Sequence, residues 1–295
     1  GDGIVLVDKP AGLSSHDVVA LTRRLAATRK VGHAGTLDPM ATGLLVLGVG
    51  RATRLLTYLV GADKTYEATV RLGQETTTED AEGGVTTARG CRIDDLPAAR
   101  LDEALDRLTG PIQQVPSAVS AIRVDGMRSY ERVRRGQDVE LAARSVTIHA
   151  LELRGRPRAA AAVNGNGTAG AAGAAGSVGS VGAADTVEVV DIDLRVACSS
   201  GTYVRALARD LGAALGCGAH LTALRRTRVG PFDVGEAAGL DALCAQVEAD
   251  AATARPQGLD VLSMAAAARR CFASVELTAD EARALGHGQT LPASL

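Results

Sequence analysis

An aspartate followed by proline, Asp38-Pro39, sits inside the glycine-rich stretch 32–43 (GHAGTLDPMATG), directly before the apolar run 44–49 (LLVLGV). A carboxylate on a loop beside a rigid element is placed to act as a base or a nucleophile. The same dipeptide also organises turns through bonds from the aspartate to its own backbone, so the residues alone leave both readings open. Two further groups could complete a site. Tyr66 opens the alternating run 65–72 (TYEATVRL), where its ring could project from a sheet. Arg205 stands behind a Ser-Gly loop in SSGTYVRALARDLG, in the first turn of a helix. An arginine within about 4–6 Å of an aspartate keeps the carboxylate ionised, lowering its pKa by roughly 1–3. Taken singly, the two also read as a core tyrosine and a surface arginine.

Other chemistries lack their residues. The chain has no GxxxxGK[ST] phosphate loop, no GxGxxG between a strand and a helix, and no GxSxG elbow. The five cysteines (Cys91, Cys198, Cys217, Cys244, Cys271) contain no CxxC pair and are expected to be reduced thiols. The five histidines (His16, His33, His149, His220, His287) show no HExxH or HxH spacing, so no metal site is expected.

The elements that must position these groups follow from periodicity and turn residues. Residues 3–8 (GIVLVD) read as a strand ended by the turn Lys9-Pro10-Ala11-Gly12. Ser14 and Ser15 offer N-cap chemistry for a helix to about residue 28, with Val18, Val19, Leu21 and Leu25 apolar. Residues 44–49 predict a buried strand, 53–60 a short amphipathic helix, 65–72 a third strand and 75–90 a loop. A helix over 100–108 stops at Gly110-Pro111. A strand over 187–197 precedes a helix from about Tyr203 to Leu215, and a strand-like FASVEL and a helical TADEARAL lie near the end. Strands recur without regular βαβ spacing, which predicts an α+β fold with a mixed, mostly antiparallel central sheet and flanking helices.

The 295 residues suffice for one large domain with an appendage, and hydrophobic residues at 46% supply a core that only 2% aromatics oblige to be aliphatic. No run of 18 uncharged apolar residues and no leader pattern occur, so a soluble cytoplasmic protein is expected. Net charge is −2, yet residues 20–35 carry Arg23, Arg24, Arg29 and Lys30 without an acid, and 201–230 carry five arginines against Asp210 alone. A basic face is one reading and solvated helix surfaces the other. In residues 159–184, 18 of 26 are Gly or Ala and none is charged, which predicts a mobile loop between two strands.

Six segments, GDGIVLVDKPAGLSSHDVV, GHAGTLDPMATGLLVLGVGRATR, KTYEATVRLGQ, PSAVSAIRVDGMRSYE, CSSGTYVRALARDLG and LRRTRVGPF, together resemble the TruB family of tRNA pseudouridine synthases, in that family's order and over residues 1 to about 235. The resemblance implies the pseudouridine synthase fold, with a catalytic domain over 1–255, a thumb-like RNA-binding insert at 117–145 and a shortened PUA-like C-terminal module at 264–295. It implies isomerisation of uridine to pseudouridine at position 55 in the T loop of tRNA, by flipping the base out of the arm. Asp38 would be the catalytic aspartate, acting at C1′ as nucleophile or as base. Tyr66 would stack on the target base, and Arg205 would pair with Asp38.

By the same resemblance, His33 would fill the space left by the extruded base, and Tyr203 and Leu224 would line the uridine pocket. Lys64, Arg123, Arg128 and Arg132 would meet the RNA, and Lys9-Pro10 would be structural. Isomerisation involves neither redox change nor hydrolysis, so no cofactor is expected. The partner would be the tRNA T-arm stem-loop, met by a monomer without membrane attachment. An RNA-binding protein without catalysis, a synthase acting on other RNA and a hydrolase using Asp38 are the competing readings.

Overall fold

The computed structural model describes residues 1–117, 123–124, 127–128, 141–164 and 186–291. The first strand, β1 (Gly3–Lys9), leads into helix α1 (Ser15–Leu25), which ends three residues before the expected boundary. Ser14 caps α1 through a reciprocal box with Asp17, satisfying backbone donors that the first turn leaves open. Strands β2 (Val31–His33) and β3 (Thr42–Val49) bracket the loop that carries Asp38. The helix expected over 53–60 is instead a 3-10 turn, Gly50–Arg54, followed by α2 (Leu56–Val60).

Next come β4 (Lys64–Leu72) and a small hairpin of β5 (Gln74–Thr76) and β6 (Val85–Ala88), so the segment expected as loop over 75–90 is partly paired. Helix α3 (Ala98–Arg107) and β7 (Gly110–Gln114) follow, and then a two-residue hairpin of β8 (Arg123–Val124) and β9 (Met127–Arg128).

Two long strands, β10 (Arg144–Val163) and β11 (Thr186–Cys198), pair antiparallel. The expected Gly/Ala loop therefore begins later than residue 159: Ala159 to Val163 pair with Val190 back to Thr186, and the β-branched partners supply the strand preference that alanines lack. Residues 165–184 of that expectation lie outside the described residues. Helix α4 (Val204–Leu215) ends on Gly216 at φ +75, the left-handed cap that glycine adopts without strain. It is followed by β12 (Ala219–Val229), β13 (Phe232–Asp233), β14 (Ala238–Gly239), helix α5 (Leu240–Ala251), β15 (Leu262–Ser263), α6 (Met264–Cys271) and α7 (Ala279–Gly286).

Eleven of these strands form one sheet in the order β14-β1-β3-β12-β4-β11-β10-β7, with β2 on β3, β13 on β12 and β15 on β1. Only β1–β14 and β3–β12 are parallel, so the sheet is mixed and mostly antiparallel, as expected. Alternation along β3 feeds two cores. Leu45, Leu47 and Val49 pack with α1, α3, α4 and α5, while Leu44 and Val46 join Ile4, Phe232, the 3-10 turn, α2 and α6 on the other face. Each fully buried aliphatic side chain here stabilises by about 1.5–3 kcal/mol.

The segment FASVEL forms no strand, and Ala267 of α6 is buried in the second core, so the C-terminal stretch starts as part of the main body. At the far edge, β7 pairs only with Arg144–Ile148 of β10, and the β10–β11 register shifts between Arg154 and Arg158.

Candidate active site

The loop between β2 and β3 is held from three sides. Ser15 Oγ donates to Leu37 O at 3.0 Å and accepts from Leu37 N at 2.8 Å. Lys9 Nζ donates to Pro39 O at 3.2 Å as well as to Pro10 O and Leu13 O, so a buried ammonium serves as a three-way clamp. Burial pushes the Lys9 pKa down, with Asp38 opposing. The third anchor is Arg226, 1% exposed, which donates to Leu44 O, Thr36 O and Gly35 O at 2.8, 3.2 and 3.1 Å. Its strand approaches so closely that a Cβ on Gly43 would stand 2.3 Å from Arg226 O, and Gly43 has φ +96. Only glycine satisfies both demands.

On this loop, Asp38 meets Arg205, whose Nε donates to Asp38 Oδ2 at 3.0 Å. The same Nε lies 3.6 Å from Asp80 Oδ2, and Arg205 NH1 donates to Thr78 O and Ser117 Oγ at 3.0 Å each. Asp80 is itself fixed: its Oδ1 accepts from Thr78 Oγ1 and from Glu82 N. Neither Asp80 nor Ser117 stands out in the sequence, because each acts through a guanidinium far along the chain.

Gly35, Thr36, Leu37 and Asp38 form one wall of a pocket of about 260 Å³, with Val60, Lys64, Tyr66, Gly201 to Arg205, Leu224 and Arg226 as the rest. Tyr66, on β4, forms part of the wall, and burial pushes its pKa up while the Arg226 guanidinium partly opposes this. Tyr203 precedes α4; its N–H donates to Gln114 Oε1 at 2.9 Å, its carbonyl accepts from Gln114 Nε2 at 3.2 Å, and the Arg144 guanidinium lies 5.5 Å from its ring centroid. Lys64 turns its ammonium to Val60 O and Ala62 O, at 3.0 and 2.6 Å.

Asp38, Tyr66, Arg205, Tyr203, Leu224 and Lys64 are thus brought together, and His33 is not in the wall. His33 pairs with Leu47 at the end of β2 and meets the His16 ring edge-on at 5.9 Å. Burial lowers its pKa, and its Nδ1 has no hydrogen-bond partner among the described residues. Arg123 and Arg128 are backbone partners in the β8–β9 ladder, and Arg132 lies outside the described residues.

The basic run at 201–230 does not make a free cationic face. Arg205 serves Asp38 and Asp80, Arg209 serves Glu79 and Asp210, Arg225 grips Asp8 twice, Arg226 is spent on carbonyls, and the exposed Arg228 donates to Gly230 O. Among the described residues no group of three or more His, Cys, Asp or Glu could hold a metal ion, and no helix is long and apolar enough to cross a membrane.

This arrangement presents one partly exposed carboxylate, 37% accessible, in a pocket that a buried aromatic ring also lines, with its charge met by an arginine 5% accessible. Such a site can bind a planar base and act on the atom next to it.

Two family models match the chain: TruB family pseudouridylate synthase (N terminal domain) over residues 23–169, and tRNA pseudouridylate synthase B C-terminal domain over residues 205–272. The tRNA pseudouridine synthase B of Arthrobacter sp. (strain FB24) is 51% identical over 292 residues, covering 99% of this chain and 82% of the relative. That of Thermobifida fusca (strain YX) is 51% identical over 298 residues, covering 99% and 87%.

Among solved structures, a chain of a Cbf5-Nop10-Gar1 complex superposes with a TM-score of 0.55 at 26% identity, covering 82% of this chain and 54% of that one. A chain of an H/ACA RNP bound to a substrate RNA containing 2′-deoxyuridine gives 0.53 at 24%, covering 85% and 56%, and supports the fold alone. This chain spans about half the length of those two solved chains.

Proposed function

The chain belongs to the TruB family of pseudouridylate synthases, and on that premise we propose that it isomerises uridine to pseudouridine at position 55 in the T loop of tRNA, with Asp38 as the catalytic carboxylate. The observation that carries this reading is the Arg205–Asp38 contact of 3.0 Å at the wall of a pocket that Tyr66 also lines.

A uridine inside a folded arm must leave its stack, at a cost of a few kcal/mol. Stacking on Tyr66, worth roughly 1–3 kcal/mol, offsets that. Leu224 and Tyr203 then enclose the uracil. The N-glycosidic bond breaks, the uracil turns, and C5 bonds to C1′. A carboxylate beside C1′ serves either as nucleophile or as acceptor of a sugar proton, and the Arg205 guanidinium orients it. His33, Lys64, Arg123, Arg128 and Arg132 are assigned to RNA contacts around this pocket.

In the same proposal residues 1–255 are the catalytic unit and 117–145, most of which lies outside the described residues, the thumb-like RNA-binding insert. Residues 264–295 are a shortened PUA-like module whose first helix is seated on the main core. The protein works as a cytoplasmic monomer on the T-arm stem-loop, where arginine contacts to the backbone give salt-dependent affinity and loop shape gives recognition.

The test is pseudouridine formation in an unmodified T-arm stem-loop by wild type and by Asp38→Asn. Product at the T-loop uridine from wild type, with Asp38→Asn below about one thousandth of that rate and RNA binding retained, is expected. Turnover by Asp38→Asn would remove the catalytic assignment, and binding without product from wild type would favour an RNA-folding role.

A further inference from the structure

This inference rests on the isomerase reading of the Asp38 site. One helical turn beyond Arg205 on α4 stands Arg209, which is absent from the pocket wall. Its NH1 donates to Glu79 Oε1 at 2.7 Å, its Nε to Asp210 Oδ1 at 2.9 Å and its NH2 to Val115 O at 2.8 Å. Arg205 meanwhile donates to Thr78 O and Ser117 Oγ. Two guanidinium groups on one face of one helix therefore grip the same two segments, the turn at 78–80 and the chain leaving β7 at 115–117.

The residue that Arg209 holds is unusual in two respects. Glu79 has φ +62, a left-handed conformation that residues with a Cβ avoid, and its Oε2 is buried without a hydrogen-bond partner among the described residues. Left alone, such a residue would relax its backbone and carry its carboxylate toward water. Glu79 O also accepts from Leu221 N at 3.0 Å, which ties the turn to β12. On either side of Glu79 are Thr78 and Asp80, and both are partners of Arg205.

We infer that Arg209 is a positioning residue for the isomerisation: by holding Glu79 in its left-handed turn, it sets Thr78 O and Asp80 against Arg205 and thereby aims the Arg205–Asp38 pair. The aim matters because a displacement of about 1 Å at a reacting group lowers a rate by about 100-fold. Arg209 touches neither the uridine nor Asp38, so its removal acts on the chemical step through geometry.

The experiment compares wild type, Arg209→Met, Arg209→Lys and the double variant Arg209→Met/Glu79→Gly. Single-turnover pseudouridine formation on the T-arm stem-loop, RNA dissociation constants and thermal melts are measured for each. Arg209→Met is expected to slow the saturated rate by about 10- to 100-fold with RNA affinity unchanged. Arg209→Lys, which keeps a charge opposite Glu79, should fall between it and wild type.

The double variant should recover most of the rate, because glycine adopts positive φ freely and leaves no buried carboxylate behind. That recovery is the readout that a merely stabilising arginine would not give. A wild-type rate in Arg209→Met overturns the inference. So does a loss confined to RNA affinity and its salt dependence, or a double variant no faster than the single one. No product from wild type overturns the isomerase reading itself, and this inference with it.

Discussion

Asp38 and Asp80 share a single nitrogen: Nε of Arg205 lies 3.0 Å from one carboxylate and 3.6 Å from the other. The two are unequal, since the Asp80 side chain is 4% accessible and that of Asp38 37%. Asp80 is committed to Thr78 and to the backbone of Glu82. Only Asp38 is free to face a substrate, while Asp80 holds the arginine from behind.

Replacing Asp80 by Asn removes the rear carboxylate and keeps its shape. Of its two aspartate partners Arg205 then keeps Asp38, and the single-turnover rate on a T-arm stem-loop is expected to fall by about 10- to 100-fold with little change in KM. An unchanged rate would show that Thr78 O and Ser117 Oγ suffice to orient the guanidinium.

Tyr66 separates stacking from proton transfer. Tyr66→Ala should raise KM by about 5- to 150-fold, the equivalent of roughly 1–3 kcal/mol of stacking on one base. Because burial pushes the phenol pKa up, the hydroxyl stays protonated, and Tyr66→Phe should keep kcat within about tenfold, short of the roughly 10²–10⁴ lost with a general acid or base. A larger kcat loss in Tyr66→Phe, with KM intact, would assign the hydroxyl to removal of the C5 proton.

Stability should fall on mild acidification. His220 is buried, its Nδ1 lies 3.0 Å from Gln74 O, and burial lowers its pKa. The unfolded imidazole takes up a proton near pH 6.5 and the folded one only at lower pH. Stability is therefore full above about 6.5 and declines as the pH drops below it. Melts between pH 7.5 and 5 should show a falling Tm for wild type and a flatter profile for His220→Asn. Equal slopes would place the acid sensitivity elsewhere, His33 being the other histidine shifted in the same direction.

The parts of the site that could be read from sequence lie inside short contiguous motifs. Asp38 precedes a buried strand, Tyr66 lies near the start of an alternating one, and Arg205 opens a helix behind a Ser-Gly loop; all three keep those places in the fold. Asp80 could not be found that way, since TTTED reads as polar loop until Arg205 is brought to it. Arg226 in LRRTR reads as a surface base, and its burial follows from the close approach of two backbones at Gly43.

The β5–β6 hairpin escaped because three or four paired residues are too few to show a period. FASVEL misled because alternation specifies a strand only where another strand is available to pair with it.

The outer edge of β10 beyond Ile148 has no strand neighbour among the described residues, and twenty residues of strand would ordinarily invite a neighbouring chain to extend the sheet. Along that edge stand Arg154, Arg156, Pro157 and Arg158, at the register shift between Arg154 and Arg158. Proline withholds a donor, the irregularity breaks the repeat of the ladder, and another chain docking there would have to strip water from the exposed Arg154 and Arg156 and crowd the Arg158–Asp193 pair. The strand that gives the sheet its reach thus carries its own safeguard against aggregation.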